Sequence, residues 1–143
     1  MDTFQYRISL DADNRLVRTE CDGLLGLSTA QRMVKDARTL GVQQNFSLLY
    51  DFRKLRIPAT VPLAIVATFP LLAGLPHGAE SLRSAAIIAI DQAGHEVWES
   101  YRMASRRSGM HWNYFLSEAE AMLWLRDRNH WDIRRAPPEL KLR

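Results

Sequence analysis

Few residues in this chain could do chemistry, and two of them lie together. Asp51 and Arg53 follow the apolar run Phe46, Leu48, Leu49 and Tyr50 within FSLLYDFRKLRIPATVP (Phe46–Pro62). An apolar run that turns charged and leads into a second apolar segment is where open α/β sheets place functional loops. One reading makes the pair a ligand contact or the device that orders the next loop. The other makes Asp51 a cap on backbone amides. Cys21, the single cysteine, sits between Glu20 and Asp22, whose carboxylates disfavour a thiolate, so it is a poor nucleophile. His77, His95, His111 and His130 are scattered without metal-ligand spacing, and Glu96 beside His95 is explained by a helix start. Arg102, Arg106 and Arg107 could meet phosphate, but Glu96 and Glu99 on the same helix suit a solvated face. No glycine-rich phosphate loop, GxSxG or HExxH motif occurs. No metal and no cofactor is expected.

The elements that position these residues follow from periodicity. Phe4–Leu10 alternates apolar and polar and predicts a half-buried strand. A turn at 11–14 leads to a second strand, Arg15–Cys21, which completes a hairpin. Gly23–Leu27 is a loop. Ser28 with Gln31 forms a capping box for a helix that buries Ala30, Met33, Val34, Ala37 and Leu40 and stops at Gly41. The strand Phe46–Asp51 follows, then a charge-free helix from Thr60 to Ala73. Ser84–Ile90 predicts a buried strand, and a helix from Gly94 to Gly109 turns Val97, Trp98, Tyr101 and Ala104 inward. His111–Leu116 is the last strand. Ser117 and Glu120 cap a final helix that buries Ala121, Trp124 and Leu125.

The order β-β-α-β-α-β-α-β-α predicts a single α/β domain with a five-stranded mixed sheet, an antiparallel hairpin followed by mostly parallel strands, and about four helices. Its expected core includes Ile8, Val17, Leu48, Tyr50, Ile87, Ile88, Val97, Trp98, Phe115 and Trp124. The domain spans 1–128, and 129–143 forms a basic, proline-containing tail. At 143 residues one domain can bury a real core, and the 47% hydrophobic and 24% charged fractions suit a globular chain. A net charge of +3 is too mild to imply nucleic-acid binding. The single cysteine and the absence of a leader pattern at Met1–Leu10 point to a reducing cytoplasm.

The stretch from Ile57 to Ala79 is long enough to span a bilayer. Pro58, Pro62, Pro70 and Pro76 punctuate it, and an internal proline costs a helix roughly 3 kcal/mol. A helix of about three turns fits better than a span. Leu63, Val66, Phe69 and Leu72 belong to its nearly continuous apolar circumference, wider than one sheet face can cover. A second subunit, an apolar or lipid ligand, a membrane surface, or the loop Leu75–Leu82 could cover the remainder, with a homodimer first.

Three stretches in order carry a resemblance. LLYDFRKLRI (Leu48–Ile57) resembles the central strand of the SpoIIAA-like proteins of the STAS superfamily, named for sulfate transporters and anti-sigma-factor antagonists. FLSEAEAMLWL (Phe115–Leu125) is similar to their closing strand and helix, and GLLGLSTAQ (Gly23–Gln31) to their loop into the first helix. The resemblance implies a non-enzymatic regulatory domain that binds a partner protein or a small lipidic or nucleotide ligand. In the phosphorylated members a serine after an aspartate is the switch. Here Thr60 follows Ala59, so Thr60 is expected to act as a helix cap. The alternative is a small hydrolase or transferase built around Asp51, Arg53 and a distant histidine.

Overall fold

A computed structural model describes residues 3–58, 78, 81–89 and 95–126. Five strands form one sheet in the order β1-β2-β3-β4-β5. They are β1 (Gln5–Asp11), β2 (Leu16–Leu24), β3 (Ser47–Arg56), β4 (Arg83–Ile87) and β5 (His111–Phe115). Three described helices accompany them: α1 (Leu27–Gln44), α2 (His95–Arg107) and α3 (Glu118–Arg126). β1 and β2 are antiparallel, and every later pairing is parallel. The expected mixed α/β sheet is therefore present. The expected Thr60–Ala73 helix, with Thr60, Leu63, Val66, Phe69 and Leu72, and the tail 129–143 lie outside the described residues.

One sheet face packs against α1 and α2. Val17, Leu48, Tyr50, Phe52, Ala86 and Ile88 meet Ala30, Met33, Val34 and Ala37 of α1 and Trp98 and Tyr101 of α2. The other face buries Leu16, Leu49, Ala85 and Ile87 beneath Ala121 and Leu125 of α3. β4 is buried at all five positions, as a central strand covered on both faces must be. Of the expected core, Ile8, Val97, Phe115 and Trp124 are only partly buried.

Several boundaries differ from expectation. β3 does not end at Asp51 but runs on to Arg56, and β2 runs with it to Leu24. Glu20 pairs with Asp51 while Asp22 pairs with Lys54, so β3 carries one extra residue. That bulge lets Phe52 and Leu55, three apart, enter the same core. The longer pairing consumes the expected loop and holds the chain until the Leu25 amide donates to the Arg56 carbonyl at 2.8 Å. Helix α1 then starts at once, with Gly26 at its N-cap and no side-chain cap, so Ser28 lies inside the helix.

Gly41 likewise sits within α1, which ends at Asn45 in the left-handed conformation. Its glycine identity serves close packing. A Cβ there would lie 2.7 Å from Leu48 Cδ2 and 2.8 Å from Leu82 Cδ1. The helix meets the sheet where only a hydrogen fits. At α3 the expected cap is present: the Glu120 amide donates to Ser117 Oγ at 3.2 Å.

Candidate functional site

Strand alternation assembles a charged strip on the face that α3 only partly covers. In β2, Leu16, Arg18 and Glu20 point one way, and in β3, Leu49, Asp51 and Arg53 do the same. The register sets Arg7 opposite Glu20, and Glu20 opposite Asp51, across three neighbouring strands. Two carboxylates directly opposite each other repel, so arginines must sit between them.

They do. Arg7 Nη2 lies 2.6 Å from Glu20 Oε1. Arg18 Nε donates to Glu20 Oε2 at 3.5 Å, and its two terminal nitrogens reach both oxygens of Glu118 at 2.8 and 3.1 Å. Arg53 grips Asp51 with Nε at 2.9 Å and Nη2 at 2.7 Å, the fork geometry that favours guanidinium over ammonium. The Arg53 amide also donates to Asp51 Oδ1 at 3.1 Å. Arg53 Nη2 is 3.9 Å from Glu118 Oε1, which links the two halves. Three arginines and three carboxylates thus form one network that also fastens the start of α3 to the sheet.

Asp51 lies inside β3 and bonds the backbone amide and the side chain of Arg53, two residues along the same strand. Among the described residues its carboxylate bonds only to Arg53. The Arg53 guanidinium holds the Asp51 carboxyl below its usual range, and Arg18 does the same for Glu118. Burial, with Asp51 and Asp22 nearby, pushes the Cys21 thiol up to about 12, and that thiol donates to the Asp51 carbonyl at 3.9 Å. It is not a nucleophile near neutral pH. Beside the strip an open groove of about 650 Å³ is lined by Gln5, Tyr6, Arg7, Glu20, Cys21, Asp22, Asp51, Arg53 and Lys54. Among the described residues no cluster of three or more His, Cys, Asp or Glu side chains could hold a metal ion.

Elsewhere, Arg102 is engaged by Glu99, which also accepts from the Tyr114 hydroxyl at 3.0 Å. Arg106 and Arg107 are exposed. An apolar pocket between α1, α2 and the end of β3 measures only about 40 Å³. No described helix is long and apolar enough to cross a membrane.

The depressed carboxylates make the strip acid-sensitive. A group whose folded-state pKa lies below its unfolded value stabilises above the unfolded pKa, and that stability is lost as pH falls through the folded one. Melting temperature is expected to drop below about pH 4. The drop should be shallower in the double variant Asp51→Asn, Glu118→Gln. Each half-exposed pair contributes on the order of 0.2–1 kcal/mol. Identical acid limbs in the two proteins would remove these pairs from the account.

No family model matches the sequence, and no curated protein matches it. Among solved structures the chain is similar to an anti-sigma factor antagonist from Mycobacterium paratuberculosis. The identity is 13%, over 88% of this chain and 97% of that one, with a TM-score of 0.52. It is also similar to an uncharacterized DUF3478-family protein with a SpoIIAA-like fold from Shewanella loihica. There the identity is 21%, over 87% and 95% of the two chains, with a TM-score of 0.54. The fold is SpoIIAA-like.

Proposed function

We propose that this chain is a non-enzymatic regulatory domain that acts through a protein partner docking on the charged strip. The observation that carries the reading is the network itself. Arg7, Arg18, Glu20, Asp51, Arg53 and Glu118 display interleaved charges on a sheet face beside an open groove. Fixed charges of both signs, positioned by strands, favour discrimination between partners and faster encounter more than raw affinity. One solved neighbour of the same fold is described as an anti-sigma factor antagonist, which lends the reading support. Asp51 and Arg53 are its central residues.

The enzyme alternative has less support. A carboxylate gripped by a guanidinium, with its pKa lowered, is a weak general base near neutral pH. A small apolar ligand was expected beneath the Thr60–Ala73 helix, outside the described residues, and the described apolar pocket of about 40 Å³ is a different place.

Photo-crosslinking in the native cell tests the proposal. A benzophenone residue at Lys54, which lines the groove, is expected to capture one defined protein. The same residue at Lys35, on the outer face of α1, should not, and Arg53→Glu should abolish capture at Lys54. Equal products from both positions, or none from Lys54, would sink the reading.

A further inference from the structure

The strand β1 forms one edge of the sheet and presents a row of backbone groups with no strand beside it among the described residues. Natural proteins guard such edges with proline, bulges, brevity, charged side chains or a covering element. Of these, among the described residues, β1 has only charged side chains, Arg7 and Asp11. It is seven residues long, lacks proline, and pairs with β2 in unbroken register from Gln5↔Asp22 to Asp11↔Leu16. Its two charges are already engaged: Arg7 by Glu20, and Asp11 by the backbone and side chain of Asn14. On the opposite face Tyr6 and Ile8 are half-buried, and Leu10 is 48% exposed.

We propose that β1 pairs antiparallel with β1 of a second copy about a twofold axis at Ile8, which joins two sheets into one. A twofold contact needs a self-complementary strip, and the sequence QYRISLD supplies one. In this register Ile8 faces its own copy, and Tyr6 faces Leu10 of the second chain, so the exposed Leu10 gains an aromatic cover. On the other face Gln5 meets Asp11, and Arg7 meets Ser9. All seven positions pair, and no like charges oppose. Centring the axis on Arg7 would set arginine against arginine. Centring it on Ser9 would leave only Arg7 to Asp11 paired. The pairing uses the outer edge of β1 and leaves α3 accessible, while Arg7, which also lines the groove, comes to lie beside Ser9 of the second copy.

Cysteine pairing reads the register directly. Directly opposed residues have Cβ atoms about 4.5–5.5 Å apart, close to what a disulfide spans. Ile8→Cys is therefore expected to form a disulfide-linked dimer under mild oxidation. Leu10→Cys is more exposed but should not, because its copy would lie four residues along, about 13 Å away. Sedimentation of the unmodified protein should give twice the 16.4 kDa chain mass. Leu10→Lys, at a position the monomer already exposes, should shift it to one chain with unchanged circular dichroism. A 16.4 kDa species at every concentration, or equal crosslinking of the two cysteine variants, would overturn the proposal.

Discussion

Trp98→Ala is expected to lower stability by about 3–5 kcal/mol, a large share of the roughly 5–15 kcal/mol available to a domain. Trp98 is only 4% exposed and joins α2 to two strands. Its ring stacks on Phe52 of β3 at 5.2 Å and on Trp112 of β5 at 6.2 Å, and meets Tyr101 edge-on at 6.3 Å. Phe52 continues to Tyr50 at 5.4 Å, and Trp112 to Tyr114 at 5.9 Å. Truncation removes the middle of this aromatic row and leaves a cavity that neighbours on three elements cannot close. Trp98→Phe keeps one ring in the row and should cost distinctly less. Leu123→Ala, at a site 65% exposed on α3, should stay within about 0.5 kcal/mol. Urea denaturation checks all three. A Trp98→Ala midpoint close to that of Leu123→Ala would mean the row is not a structural keystone.

The sequence revealed Trp98 because its spacing with Val97, Tyr101 and Ala104 is helical, and periodicity depends on the element alone. It also revealed the hairpin and the Ser117 cap from neighbouring residues, and the parallel strands from the alternation of strands with helices along the chain. What it concealed depends on pairing. The bulge in β3 arises only when β2 is laid beside it, so Asp51 read as a strand end although pairing carries the strand five residues further. Glu118 is one hundred residues from Arg18, and no local pattern announces their bond. The alternation of Leu16, Arg18 and Glu20 could have placed Arg18 and Glu20 on one face, but not named their partners. Gly41 read as a helix stop because glycine commonly ends helices. The reason it is glycine lies in Leu48 and Leu82, on two other segments.

Arg83 was equally silent in the sequence, where SLRSAAIIAI reads as a buried apolar strand with one stray cation before it. It lies 5% exposed at the start of β4 and is the counterpart of Arg18 at the other end of α3. Its guanidinium donates to the Trp124 carbonyl in the last turn of α3 and lies 4.9 Å from the Trp124 ring centre. A guanidinium donor makes a charge-assisted hydrogen bond to that carbonyl, stronger than a neutral donor would make. Arg83→Met keeps the aliphatic stem and removes the charge and the donors. Losing a charge-assisted hydrogen bond to this half-buried carbonyl costs about 1.5–3 kcal/mol. Losing the ring contact costs about 0.5–2 kcal/mol more. A total of about 2–5 kcal/mol follows, most of it felt by α3. Hydrogen exchange separates this from general weakening. Amides of Glu118–Arg126 should exchange faster in Arg83→Met, while those of Leu27–Gln44 keep their protection. Arg83→Lys should recover only part of the loss, because an ammonium lacks the planar fork that serves carbonyl and ring together. Uniform acceleration across α1 and α3 would show that Arg83 supports the whole core and is not the clamp on the last helix.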